Sequence, residues 1–247
     1  MIVRARLPGR EGVPGLAETG ESLEQYLRPT AYVDSGAANV VVFAERVAGV
    51  AAYPIARAVA LYHAVRDEIV YTPYCDFRSV ETYRASACLA RGSGFCVAKS
   101  ALLAAAARAV GIPARLGFAD VRNHLASPRL RQLMGTDVFY YHGYAELYLD
   151  GAWVKATPVF DRALCERFGV PPLPFDGRRD SLFQAYDPSG RRHMEYVRDR
   201  GPSADVPAEA IIETFERHYP ALLVRATGGP AERFRDEAAP MAEPPGS

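Results

Sequence analysis

The stretch Arg91–Arg115, RGSGFCVAKSALLAAAARAVGIPAR, decides how this chain is read. Its alanine-rich run predicts a buried helix from about Cys96 to Val110. Gly111 suits the position just past the helix end, and Pro113 bars continuation. The Gly-Ser-Gly before it reads as a flexible turn, so a thiol sits at the first turn of the helix. There it faces the positive end of the helix dipole and unpaired backbone N–H groups. That setting predicts a lowered pKa and a nucleophilic thiolate. The same N–H groups, that of Cys96 first among them, can bind an oxyanion formed by attack on a carbonyl. A glycine such as Gly94 lets a substrate backbone approach closely. A nucleophile of this kind still needs a base.

Residues 137–161, DVFYYHGYAELYLDGAWVKATPVFD, supply one. Asp150-Gly151 is the preferred pair for a two-residue type I′ turn, and its flanks are rich in aromatic and β-favouring residues. With those two residues as the loop, partner numbers add to 301. Leu149 then faces Ala152, Tyr148 faces Trp153, and Glu146 faces Lys155, an opposite-charge pair that supports the register. Alternation puts His142 on the face with Tyr140, Tyr144, Trp153 and Thr157. His142 lies opposite Val159, with Thr157 and Asp161 as diagonal neighbours. Pro158 cannot donate to the ladder, so pairing is expected to stop near it.

The chain has 247 residues, 49% hydrophobic and 23% charged, with zero formal net charge. That suits a soluble globular protein and points away from nucleic acid and acidic membrane surfaces. The four cysteines, Cys75, Cys88, Cys96 and Cys165, form no CxxC pair, which argues against zinc and against a disulfide framework. The start shows no signal-peptide pattern, and no apolar run reaches the roughly 18 residues of a membrane span. The expected location is the cytoplasm, with reduced thiols. Gly92-x-Gly94 lacks the third glycine and the preceding strand of a dinucleotide site. His142 and Glu146 are four apart, but on a strand and without an HExxH motif, so no metal site is expected.

Elsewhere, helices are expected within 35–50, with Asp34 or Ser35 as cap, and within 53–70, where apolar residues recur at helical spacing. Residues 72–94 read as a long connection. A strand follows at ARLGFADV, then a short helix capped by Ser127 with Pro128 at its first position. Residues 162–200 carry loop signals before a strand at HMEYVRD, and PAEAIIETFERHYP reads as a last helix. From Arg225 a disordered tail is expected. The division is a helical N-terminal lobe over 1–75, a catalytic core over 76–224 and a tail over 225–247. Cys75, Cys88 and Cys165 read as packing residues. His63, His124, His193 and His218 read as structural or exposed. Arg122, Asn123 and Tyr144 are candidate substrate contacts, and Tyr140 and Tyr141 join Tyr144 as candidate lining of a substrate cleft.

GSGFCVAKSALLAAAARAVGIPAR followed by HGYAELYLDGAWVKATP resembles the transglutaminase-like superfamily of papain-fold cysteine enzymes, in its bacterial form. The shared pattern is Gly-x-Cys at a helix start, GIPAR, a histidine on a strand, a DG turn, and a tryptophan on the return strand. The resemblance implies an α+β fold in which the Cys96 helix packs on an antiparallel sheet carrying His142. It implies acyl transfer or hydrolysis at an amide or thioester through a Cys96 thioester, with His142 as base. The implied substrate is a peptide, an amide or an acyl thioester. The family's third residue is usually an aspartate about fifteen positions after the histidine; here that place holds Thr157. Asp161 is the candidate third member and Thr157 the alternative. Two other readings follow: an amide-forming acyltransferase fed by a carrier-protein thioester, and an inactive binding module. No cofactor is implied. The animal enzymes use calcium, but this chain has no acidic calcium loop.

Overall fold

The structure is a computed structural model and describes residues 22–49, 51, 53–124, 126–183, 194–225 and 233–238. Helices α1 (Ala38–Ala48), α2 (Pro54–Glu68) and α3 (Ala85–Arg91) pack around α4 (Cys96–Ala109). Every residue of α4 from Val97 to Arg108 is buried. A helix enclosed on all sides cannot show an amphipathic stripe, and its alanines let neighbours close in. Gly111 takes φ +80 just past its end, the left-handed conformation expected of it.

Two short strands, β1 (Val70–Tyr71) and β2 (Ser93–Gly94), pair in parallel. The main sheet holds β3 (Ala114–Asn123), β4 (Val138–Leu149), β5 (Ala152–Ala156) and β6 (Met194–Ser203). Its order is β5-β4-β3-β6, antiparallel throughout. The β4–β5 register is the expected one, with Glu146 opposite Lys155 and Tyr148 opposite Trp153. Asp150 and Gly151 both take positive φ, as a type I′ turn requires. Pairing ends at Ala145–Ala156, two residues before Pro158. α4 lies on β4 and β3, and one continuous buried cluster includes α1, α2, α4 and the sheet.

The remaining helices are α5 (Pro128–Met134), α6 (Arg162–Phe168), α7 (Ala208–His218), α8 (Pro220–Arg225) and α9 (Arg233–Glu237). Ser127 caps α5 as expected, accepting the Leu130 N–H at 3.1 Å.

Several sequence expectations are corrected. Neither Asp34 nor Ser35 caps α1: the cap position is Ala37, and Asp34 accepts from Ser86 N–H instead. The long connection contains α3, too short for its periodicity to stand out. The loop-rich region after residue 161 contains α6. Residues 233–238, assigned to a disordered tail, include α9, whose Phe234 is buried against Tyr71, Tyr74 and Phe168. A lone aromatic among charges carries no periodic signal, and only tertiary contact orders it.

Candidate active site

Cys96 is the first residue of α4, after an extended Phe95 at the cap position with no side-chain cap. The first-turn N–H groups are thus left for another acceptor. Those of Cys96 and Val97, with that of Gly143 from β4, lie at the Cys96 sulfur. Gly143 brings the strand this close: a Cβ there would sit 3.0 Å from Val97 Cα. The Ser100 hydroxyl donates to the Gly143 carbonyl at 3.1 Å, fixing the same approach one turn further on. Gly94 serves packing, since a Cβ there would meet the Cys88 sulfur at 2.8 Å.

The residue before Gly143 is His142, which is buried. Two consecutive β4 residues, Tyr140 and Tyr141, stand against the single Asp120 of β3 at a bulge, and Tyr141 takes φ +55. A bulge re-aims the side chains beyond it. Asp120, buried, holds this one: it accepts the Tyr141 N–H at 3.1 Å and a two-armed contact from Arg200 at 2.6 and 3.0 Å. The Arg200 guanidinium also covers the Tyr141 ring at 3.9 Å. Sequence reasoning singled out neither residue, because their roles depend on three strands meeting.

Cys96 and His142 line one cavity of about 40 Å³. Its far wall comes from α7 and α8 through Phe215, Tyr219 and Leu222. Tyr219 closes it against β4, donating to Val138 O and accepting from Tyr140 N–H, both at 2.7 Å. The spacing of Ile211 and Phe215 on α7 was the one sequence signal of an inward face there.

The protonation states differ from those the helix dipole alone predicts. Burial pushes the Cys96 thiol up to about 11, against the downward pull of the three backbone N–H groups. Burial pushes His142 down to about 4. The resting pair is therefore a thiol and a neutral imidazole: removing charge from water outweighs the dipole here.

Asp161 and Thr157 stand differently from each other. Asp161 caps α6, accepting Leu164 N–H at 3.0 Å, and also takes Tyr71 N–H at 3.2 Å and Arg235 at 3.0 Å. None of its bonds goes to His142. Thr157 is buried, and its Oγ1 has no partner among the described residues; nor has Nε2 of His142. Of the candidate substrate contacts, Tyr144 lies over Gly117 and accepts from Lys155 Nζ at 3.3 Å. Asn123 is buried at the end of β3, and Arg122 pairs with Asp137 and Glu195. None of these, nor Gly94, lines the cavity. His124 pairs with Glu195 at 3.2 Å, and His218 stacks on Tyr140. His193 lies outside the described residues.

Among the described residues no cluster of His, Cys, Asp and Glu is arranged to hold a metal ion, and no helix is long and apolar enough to cross a membrane.

A search of curated proteins gave no match. A solved structure described as a candidate cysteine protease from Cytophaga hutchinsonii is 16% identical, with a TM-score of 0.47. The alignment covers 82% of this chain and 54% of that one, so this chain spans about half the length of that protein. The family model of the transglutaminase-like superfamily matches residues 41–158, from α1 through the Cys96 helix and the His142 strand to the end of the β4–β5 pairing. Residues 41–158 of this chain form a transglutaminase-like superfamily core.

Proposed function

We propose that this protein is a cysteine enzyme that transfers or hydrolyses an acyl group through a thioester on Cys96, with His142 as its general base. The observation that carries the reading is the shared cavity: the helix-start thiol and the strand histidine open onto one space, with three backbone N–H groups at the sulfur.

The resting states suit general-base attack. Imidazole with a pKa of about 4 is neutral, and able to accept a proton, at any pH well above that value. As the Cys96 sulfur bonds to the acyl carbon, its proton passes to the imidazole. The carbonyl oxygen gains the negative charge and is met by backbone N–H groups at the start of α4. The imidazolium then gives its proton to the leaving thiol or amine as that bond breaks. Water or an amine next loses a proton to His142 and bonds to the acyl carbon. The carbon–sulfur bond breaks, and the sulfur recovers its proton.

A second reading, a binding module of the same fold, is favoured by one observation: among the described residues Nε2 of His142 is buried with no partner, and no carboxylate of theirs offsets the effect of burial on the imidazole. Acylation by a small thioester separates the two. With S-acetyl-N-acetylcysteamine as probe, peptide mapping is expected to find the acetyl group on Cys96. His142→Ala should slow its formation by about 10²-fold or more, as loss of a general base does. No acyl-Cys96 in the wild type would leave the binding module.

A further inference from the structure

We infer that the acyl group carried by Cys96 is apolar and uncharged and seats in the cavity beside the thiol; this rests on the Cys96–His142 reading above. The walls are Phe77, Phe95, Leu130, Met134, Phe215 and Leu222, drawn from five separate segments of the chain. Among the described residues, no Asp, Glu, Lys or Arg side chain lines the space. Beyond Cys96 and His142, its polar side chains are tyrosines, and the Tyr219 hydroxyl is already bonded on both sides. A charged acyl group would lose its water there and find no counter-charge. An apolar one would displace water from aromatic and aliphatic wall.

The test compares three N-acetylcysteamine thioesters with the full-length protein: butyryl, acetyl and succinyl. Formation of acyl-Cys96 is followed by intact mass and located by peptide mapping. Butyryl is expected to react at least tenfold faster than succinyl, which has the same number of carbons and adds a carboxylate, and acetyl faster than succinyl as well. Leu222→Arg should supply a counter-charge and collapse the butyryl-to-succinyl ratio. Met134→Arg serves the same purpose if the first variant does not fold, and each ratio is its own control. Equal rates, a preference for succinyl, or a ratio unmoved in both variants would overturn the inference while leaving Cys96 as the nucleophile. Failure of all three thioesters to acylate Cys96 would overturn the catalytic reading and the inference with it.

Discussion

Gly143→Ala tests how the sheet sets the nucleophile. The added Cβ would lie 3.0 Å from Val97 Cα, 3.2 Å from Val97 Cγ2 and 3.4 Å from Val97 N. Carbon atoms in contact prefer about 3.5–4.0 Å. The nearest neighbour is backbone and cannot swing aside, so the first turn of α4 must give by a few tenths of an ångström. Val97 follows Cys96 directly, and the thiol moves with it. Overpacking of this kind costs about 1–3 kcal/mol of stability. A displacement near 1 Å at reacting atoms costs on the order of 10²-fold in rate, so one of a few tenths costs about tenfold. Gly111→Ala is the control. It strains the other end of the same helix, where φ is +80, yet a Cβ there meets nothing within 4 Å. Its cost is the left-handed backbone penalty of about 1–2 kcal/mol, with no push on Cys96. Urea unfolding should show comparable losses in the two variants. Acylation of Cys96 by a thioester should fall by at least tenfold in Gly143→Ala alone. Equal acylation in both would refute the argument that the Gly143–Val97 contact positions the thiol.

Other expectations can be checked alongside it. Because burial holds His142 near 4, the acid limb of the acylation pH profile should fall near pH 4 rather than near 6.5, the ordinary value. By linkage, a histidine with a depressed folded pKa contributes a stability loss that begins below about 6.5 and is complete below about 4; His142→Gln should flatten that part of a urea-midpoint series. Because the Cys96 thiol is pushed up to about 11, iodoacetamide should alkylate it slowly at pH 7 and progressively faster toward pH 10, and rapid labelling at pH 6 would contradict the resting thiol. Asp120→Asn should weaken the Tyr141 bulge and leave Arg200 short of its partner, costing about 1–3 kcal/mol and lowering acylation about tenfold. Thr157→Val should be neutral in stability or gain up to about 1 kcal/mol, since it removes a buried hydroxyl with no partner among the described residues. A large rate loss in that variant would show that the hydroxyl orients His142 during turnover.

The features that local chemistry dictates were legible in the sequence. Cys96 stands at a helix start because the glycine turn before it and the Gly111 and Pro113 after it bound the alanine run on both sides. The β4–β5 register follows from the two positive-φ residues Asp150 and Gly151, which any two-residue hairpin turn of this type needs. Tertiary structure alone decided the rest. The cavity wall on Phe215 and Leu222 is far along the chain from Cys96, and no spacing rule links residues so distant. The bulge that aims His142 depends on Asp120 and Arg200 from two other strands. Straight-strand extrapolation past Pro158 places Asp161 beside the imidazole, whereas the chain there turns into α6 and uses the carboxylate as its cap. The charge state of the pair reversed for the same kind of reason. A helix dipole can be read from local sequence, but desolvation is set by everything that packs around the site, and here desolvation is the larger effect.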